Sequence, residues 1–428
     1  MAEFGKEEKR VPDAVNDMGK KGKSRSWLIL SFAVLLISAV VTVTAVTVML
    51  KRRAETAAAA EQQYQLGEAL LKESRQKQIE AEVGLSSNFI DKETKIVVGG
   101  KEMRLVFNPD TRVSEALLKE SQRKRAEAET ALREAIRLDP NHAPAYFELG
   151  GILDAQNKYA EAEAAYKEAI RLDSNNAKAH SSLGVSLDRQ NKPAEAEAEY
   201  RAAIRLDPND YFAHSNLGSN LRDQKKYDEA EAEYKEAIRI NPDYDYAHYN
   251  LGALFASQEK DAEAEAEFRE AIRLNPYDAR AHYSLGYGLY KQQKFVEAEA
   301  EFREAVRLDK DFALAHTNLG NALASQKKYA EAEVEFKEAI RLKPDEAGHH
   351  FNLGMALTYR KKHAEAEVEF REATRLDPNA AEYHFYLGFT LATQKKFTDA
   401  KVEVEEAVRL EPSNSRYQRL LKLVRTPG

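Results

Sequence analysis

Seven histidines stand at one fixed interval: His180, His214, His248, His282, His316, His350 and His384. Imidazole columns invite metal ligation or proton relay. A metal, however, draws its ligands to within about 2.0–2.1 Å of one point. Each histidine stands a whole structural unit from the next, so an amphipathic side chain at a packing position is the favoured reading. Two residues after four of these histidines comes an amide: Asn216, Asn250, Asn318 and Asn352. A side-chain amide both donates and accepts, so such a column suits the backbone of an extended peptide. Aromatics crowd the same stretches: Tyr246, Tyr249, Tyr283, Tyr287, Tyr290, Phe351, Tyr359, Phe385 and Phe389. Exposed rings suit partner burial because they offer area at low entropy cost.

These residues sit in a repeat. Leu-Gly recurs at 149–150, 183–184, 217–218, 251–252, 285–286, 319–320, 353–354 and 387–388, evenly spaced and without insertion. Counting six residues back from each Leu, units begin at 143, 177, 211, 245, 279, 313, 347 and 381. Ala fills positions 20 and 27 in all eight, from Ala162 and Ala169 to Ala400 and Ala407. Position 24 is Tyr or Phe in seven, with Val404 in the eighth; position 32 is Pro in six. Positions 4, 7, 8 and 11 share one helical face, as do 20, 24 and 27. Small residues at 8, 20 and 27 let two helices approach, and the ring at 24 fills the space beside them. Pro at 32 stops the second helix, while Arg at 29 suits its C-terminal dipole. Glu at 21 precedes Lys or Arg at 25 in seven units, as in Glu163–Lys167. This i,i+4 order is worth roughly 0.2–0.5 kcal/mol a pair. The EAEAE runs therefore read as solvated helix faces.

The columns resemble the tetratricopeptide (TPR) family, whose pattern W-x2-L-G-x2-Y…A-x3-F…P recurs with the same period. Here Tyr146 and then the histidines replace the Trp, and Leu or Phe replaces the first Tyr. The resemblance implies an all-α, right-handed α-solenoid of helix-turn-helix units over 143–414, with first helices lining a concave groove. Positions 2, 5, 9, 12 and 13 share the face that would line it. The Asn column is similar to the ladder of superhelical TPR arrays. Chaperone-type TPR domains carry Lys at position 5, which never occurs here, so a chaperone-tail clamp is not expected.

The flanks differ from the repeat. Residues 1–26 form a basic tail. Residues 27–50, WLILSFAVLLISAVVTVTAVTVML, carry no charge and are long enough to cross a bilayer as one helix. Lys51-Arg52-Arg53 follows at once, a poor setting for signal cleavage. Six Lys+Arg in the twenty residues before this span against three in the twenty after place the N-terminus in the cytoplasm and the array across the membrane. Residues 51–83 read as a helical stalk or short coiled coil. Residues 84–110 read as an insertion with a β-hairpin near 95–107 around Gly99-Gly100. Residues 111–142 read as a degenerate first repeat: Ala128, Leu132, Ala135 and Pro140 match positions 20, 24, 27 and 32, and its first helix falls near 112–122. Residues 68–82 and 115–129 are near-copies of each other, the first just after Leu66-Gly67. A capping helix closes 415–428, because a solenoid needs polar ends.

Composition narrows the function. No Cys is present, which removes disulfides, Cys-ligated zinc and thiol nucleophiles. Residues 1–53 carry a net +5, leaving −12 on the rest, the wrong sign for a nucleic-acid binder. No phosphate loop or H-E-x-x-H occurs, and the repeats leave no room for a catalytic domain. The expectation is a non-enzymatic scaffold or assembly factor, without cofactor, metal or small-molecule substrate, tethered by residues 27–50 and binding proteins or peptides in its groove. A structural spacer or self-assembly module using convex or end surfaces is the alternative. Membrane-anchored arrays of this style are similar to photosystem-assembly proteins of cyanobacteria and plastids.

Overall fold

The computed structural model describes the backbone of residues 16–85, 95–98, 101–104 and 111–425, and the side chains of residues 42–81 and 115–425. The chain forms two units, Met1–Ser174 and Asn175–Gly428.

The first unit opens on one long helix, α1 (Asn16–Leu85). Strands β1 (Lys95–Val98) and β2 (Lys101–Arg104) follow, then α2 (Thr111–Leu138), α3 (Ala143–Ala155) and α4 (Tyr159–Leu172). The strands pair antiparallel with Ile96 opposite Met103. The hairpin's Gly99-Gly100 turn and residues 105–107 lie outside the described residues. So does the basic tail up to residue 15, as do the side chains of residues 27–41 in the expected span. Among the described residues no helix is long and apolar enough to cross a membrane.

Residues 60–81 are no free stalk, since Ala60, Leu71, Ser74 and Ala81 are buried. A Cβ on Gly67 would meet Leu132 at 2.9 Å and the Ala128 carbonyl at 3.5 Å. Leu132 and Ala128 are positions 24 and 20 of the degenerate repeat, so Leu66-Gly67 are its positions 7 and 8. The first helix expected near 112–122 is instead supplied by α1. The repeat is split, and both helices run on past it toward the hairpin. Leu71, Ala128, Leu132 and Ala135 close its core with Ala145 and Ile152 of α3. The two near-copies lie in the extensions and pair with each other. Ser74 Oγ donates to the Ser121 carbonyl at 2.8 Å, and Ser121 Oγ to the Ser74 carbonyl at 2.9 Å. Lys124–Glu73 at 3.1 Å and Lys77–Glu120 at 4.0 Å flank the serines as two-fold equivalents. Both serines are buried, and their small side chains let the helices approach.

The second unit is a run of helix pairs: α5 (Ala177–Arg189) with α6 (Pro193–Leu206), α7 (Tyr211–Asp223) with α8 (Tyr227–Ile240), and α9 (Asp245–Ser257) with α10 (Asp261–Leu274). It continues with α11 (Ala279–Lys291) and α12 (Phe295–Leu308), α13 (Ala313–Ser325) and α14 (Tyr329–Leu342), and α15 (Ala347–Tyr359) and α16 (His363–Leu376). It ends with α17 (Ala381–Thr393), α18 (Phe397–Leu410) and α19 (Ser415–Arg425). The last buries Tyr417, Leu420 and Val424.

Each pair is locked as the repeat columns require. A Cβ on Gly184 would strike the Tyr200 ring at 2.6 Å, and one on Gly320 the Phe336 ring at 2.5 Å. The rings at position 24 are buried, and so are the alanines at 20 and 27. The turn between the helices is uniform. Position 15 is left-handed in every repeat, with φ between 59° and 63°. The next N–H bonds back to the position-11 carbonyl, as Lys226 N to Leu221 O at 2.9 Å. This is a Schellman closure, yet its left-handed residue is Asn, Lys, Glu or Gln and never Gly.

The EAEAE runs depart from the solvated reading. Besides its i,i+4 partner, Glu at 21 receives the next repeat. Glu197 accepts from Lys226 at 2.7 Å and Gln224 at 3.0 Å, and Glu299 from Lys328 and Gln326, both at 2.7 Å. Glu333 does the same with Arg360. Glu299 and Glu333 are buried. The first unit repeats the pattern with Glu129, Arg133 and Gln156, which marks the second half of α2 as a true second helix.

Candidate functional site

In the second unit each first helix from α5 to α13 touches the first helix of the next repeat. These helices therefore form a continuous wall. Most of the exposed apolar side chains on it fall at positions 2, 9 and 13. Tyr246, Tyr287, Tyr359 and Phe389 are exposed there, as are Phe212 and Leu314, which the sequence reading passed over although both hold position 2.

The other expected residues are partly spent inside the fold. Tyr249 lies under Arg280, whose guanidinium is 5.3 Å from the ring centre, and 5.8 Å from Phe268. Tyr283 is half-buried against Phe312 at 4.8 Å and Phe302 at 5.9 Å. Its hydroxyl accepts from Asn318 Nδ2 at 3.0 Å. Tyr290 leans on Phe295 at 5.4 Å; Tyr359, although exposed, stacks on Tyr329 at 4.6 Å. Phe351 is half-buried against Tyr383 at 4.8 Å. Phe385 departs from the groove expectation. It is buried by the capping helix, 4.8 Å from Tyr417, with Arg416 over its face. Within the Asn column, Asn216 and Asn352 are half-buried. Asn250 is buried with its amide nitrogen unpaired among the described residues.

The histidines have a structural task. Nδ1 of each meets the Glu at position 23 at 2.6–2.8 Å, from His180–Glu199 to His384–Glu403. From His214 onward Nε2 also faces the position-32 carbonyl of the preceding repeat at 3.0–3.3 Å. At His214, His248, His282, His316 and His384 both oxygens want a donor, and only the imidazolium supplies two. Burial alone would push these five rings down. The paired carboxylate outweighs it, so His214, His248, His282 and His316 are held above the ordinary histidine value. For His384 the Glu403 hydrogen bond is the largest influence and acts the same way. A sequence signal existed: the one unit with Tyr146 in place of His has Ala165 in place of Glu. Among the described residues no group of His, Asp or Glu gathers as a metal site.

Comparison with known proteins gives one family. A model described as tetratricopeptide repeat matches residues 113–177, 153–211, 283–347, 335–381 and 351–415, more than half of the chain. A second, described as TPR repeat, matches 218–259, and a third, again tetratricopeptide repeat, 246–278. No curated protein matches. Among solved structures, YrrB, a TPR protein with an unusual peptide-binding site, is 23% identical, with 44% of this chain and 98% of that one covered and a TM-score of 0.42. PilF of Pseudomonas aeruginosa is 24% identical over 52% of this chain and 97% of its own, with a TM-score of 0.45. The APC/C hetero-tetramer Cut9–Hcn1 is 17% identical over 74% of this chain and 64% of that chain, also at 0.45.

Proposed function

Because the chain belongs to the tetratricopeptide repeat family, we propose that it is a scaffold or assembly factor that holds partner proteins against the wall of first helices. Residues 27–50 tether it to a membrane, with the N-terminus in the cytoplasm and the repeats on the opposite side. One observation carries the groove reading: large apolar side chains stand exposed on the wall at positions the repeat lock does not use. Folding gains nothing from an exposed ring, whereas a partner that covers it gains about 25 cal/mol per Å². The test is the double variant Tyr246→Ala with Tyr287→Ala. Partners captured by the wild-type chain from solubilised native membranes are lost, and the circular-dichroism melt stays in place. Retained capture overturns the reading. For the tether, protease shaving of sealed vesicles decides: digestion of the repeats from the cytoplasmic side reverses the orientation.

A second reading rests on the second helices. Val334, Val368 and Val402, each more than 60% exposed, hold position 22 of three consecutive repeats. Such a stripe suits self-assembly through the convex side. Sedimentation of the detergent-solubilised chain checks it: a concentration-dependent mass supports assembly, and one mass at all concentrations removes it.

A further inference from the structure

Within the second unit, from α7 onward, position 10 of each first helix faces the seam with the preceding repeat. Asn220 shows the geometry: its amide donates to Asp188 Oδ1 at 2.6 Å and to the Pro193 carbonyl at 3.0 Å, both in the repeat before. Leu254 fills the next seam and is fully buried. Ala322, Ala356 and Thr390 fill later ones and are buried as well. Gly288 alone brings no side chain. A Cβ built on it meets nothing within 4 Å. The gap is a cavity of about 190 Å³ between α9, α10 and α11, with Ala253, Ala256, Ala264, Phe268 and Tyr287 among its walls.

We propose that this cavity is the anchor subsite of the groove and takes one Leu or Phe side chain from an extended segment of a partner protein; the inference rests on the groove reading above. Size argues for one such side chain. An apolar cavity of about 150 Å³ stays dry and holds a benzene, so this space matches one group of that size. Surroundings argue for a polypeptide rather than a free small molecule. Tyr287, at the cavity's edge, is 48% exposed, and Tyr246 one repeat earlier and Leu314 one repeat later are 37% and 48% exposed on the same wall. A ligand anchored here continues past its anchor in both directions, which a chain does. Asp261, Glu265 and Lys291 also line the space, two carboxylates and one ammonium, so the anchor's polar backbone meets both acceptors and a donor.

The test selects a pool of randomised extended peptides on the full chain and on Gly288→Leu. The variant restores the side chain that Leu254 places in the neighbouring seam and replaces a mid-helix glycine, so it folds and melts at a higher temperature. On the wild type, selected peptides share one fixed Leu or Phe, and changing it to Ala weakens binding by more than about tenfold. On Gly288→Leu that preference disappears. Peptides bound without a fixed apolar residue, or with the preference intact on the variant, overturn the anchor and leave the groove standing. No enrichment on either chain overturns the groove reading and the anchor with it. Binding of benzene with an indifferent peptide selection reduces the cavity to a packing gap and also overturns the proposal.

Discussion

Glycine has two meanings here, and geometry separates them. At position 8 a methyl group would overlap an aromatic ring by most of an ångström, as at Gly184 against Tyr200. Gly184→Ala is expected to lose about 1–3 kcal/mol through overpacking. Gly151, the next residue after a position-8 glycine, would give its Cβ only an ordinary contact at 3.8 Å. Gly151→Ala should gain up to about 1 kcal/mol of helix propensity. Chemical denaturation of both variants checks the pair, and equal effects would contradict the steric account. The turn glycine is the converse case, wanted but absent. Lys361 is held at φ 62°, a conformation that costs a non-glycine residue roughly 1–2 kcal/mol. Lys361→Gly should therefore stabilise the protein by about 1 kcal/mol in the same measurement, after the extra unfolded-state freedom of glycine is deducted.

Between elements, the seams titrate. A histidine whose folded value is raised contributes stability that is complete below its unfolded value near 6.5. That contribution is lost as pH rises through the folded value. Five raised histidines sit at the seams of the second unit, so its melting temperature should fall as pH climbs past neutrality. Glu197 runs the other way. The Lys226 hydrogen bond, helped by Gln224 and Arg201 against burial, holds it at about 2. Its contribution is present above the unfolded value near 4.5 and lost as pH falls through about 2. The melt should thus be highest on the slightly acidic side of neutral, and Glu233→Gln should flatten the alkaline slope. A melting temperature constant between about pH 5 and 8 would remove the linkage. The sequence showed the lock of each pair because position 8 and position 24 lie within one repeat and recur in columns. It hid the seams because the donors to Glu at 21 and the position-32 carbonyl facing His at 4 come from neighbouring repeats, while the His–Glu pair within one repeat was signalled only by its joint loss at Tyr146 and Ala165. The groove was half legible for the same reason. Positions 2 and 9 face outward by helical spacing alone, whereas Phe385 is covered by a helix and Asn318 is spent on Tyr283, neither visible from one unit's pattern.

At the scale of the whole molecule, the split repeat decides where folding units begin. Leu66-Gly67 carries the signature of a first helix, but its partner Ala128–Leu132 lies beyond the hairpin, so a reading that joins neighbours in sequence assigns the wrong mate. The consequence is a truncation experiment. A chain starting at Thr111 keeps everything the sequence reading assigned to the repeats, yet it uncovers Ala128, Leu132 and Ala135, all fully buried, along with the buried Ser121. A chain starting at Ala54 keeps α1 against them. Re-exposing one large apolar side chain costs about 1.5–3 kcal/mol, and Leu132 is joined by Ala145 and Ile152 of the next repeat. The shorter chain should therefore bind a hydrophobic dye and lose hydrogen-exchange protection in α2 and α3, while the later repeats keep theirs, since a solenoid is stabilised repeat by repeat. The point variant Gly67→Leu should produce the same local loss in the longer chain by driving a side chain into Leu132. Matching protection of α2 and α3 in both chains would return the first helix to residues 112–122 and make α1 dispensable to the array.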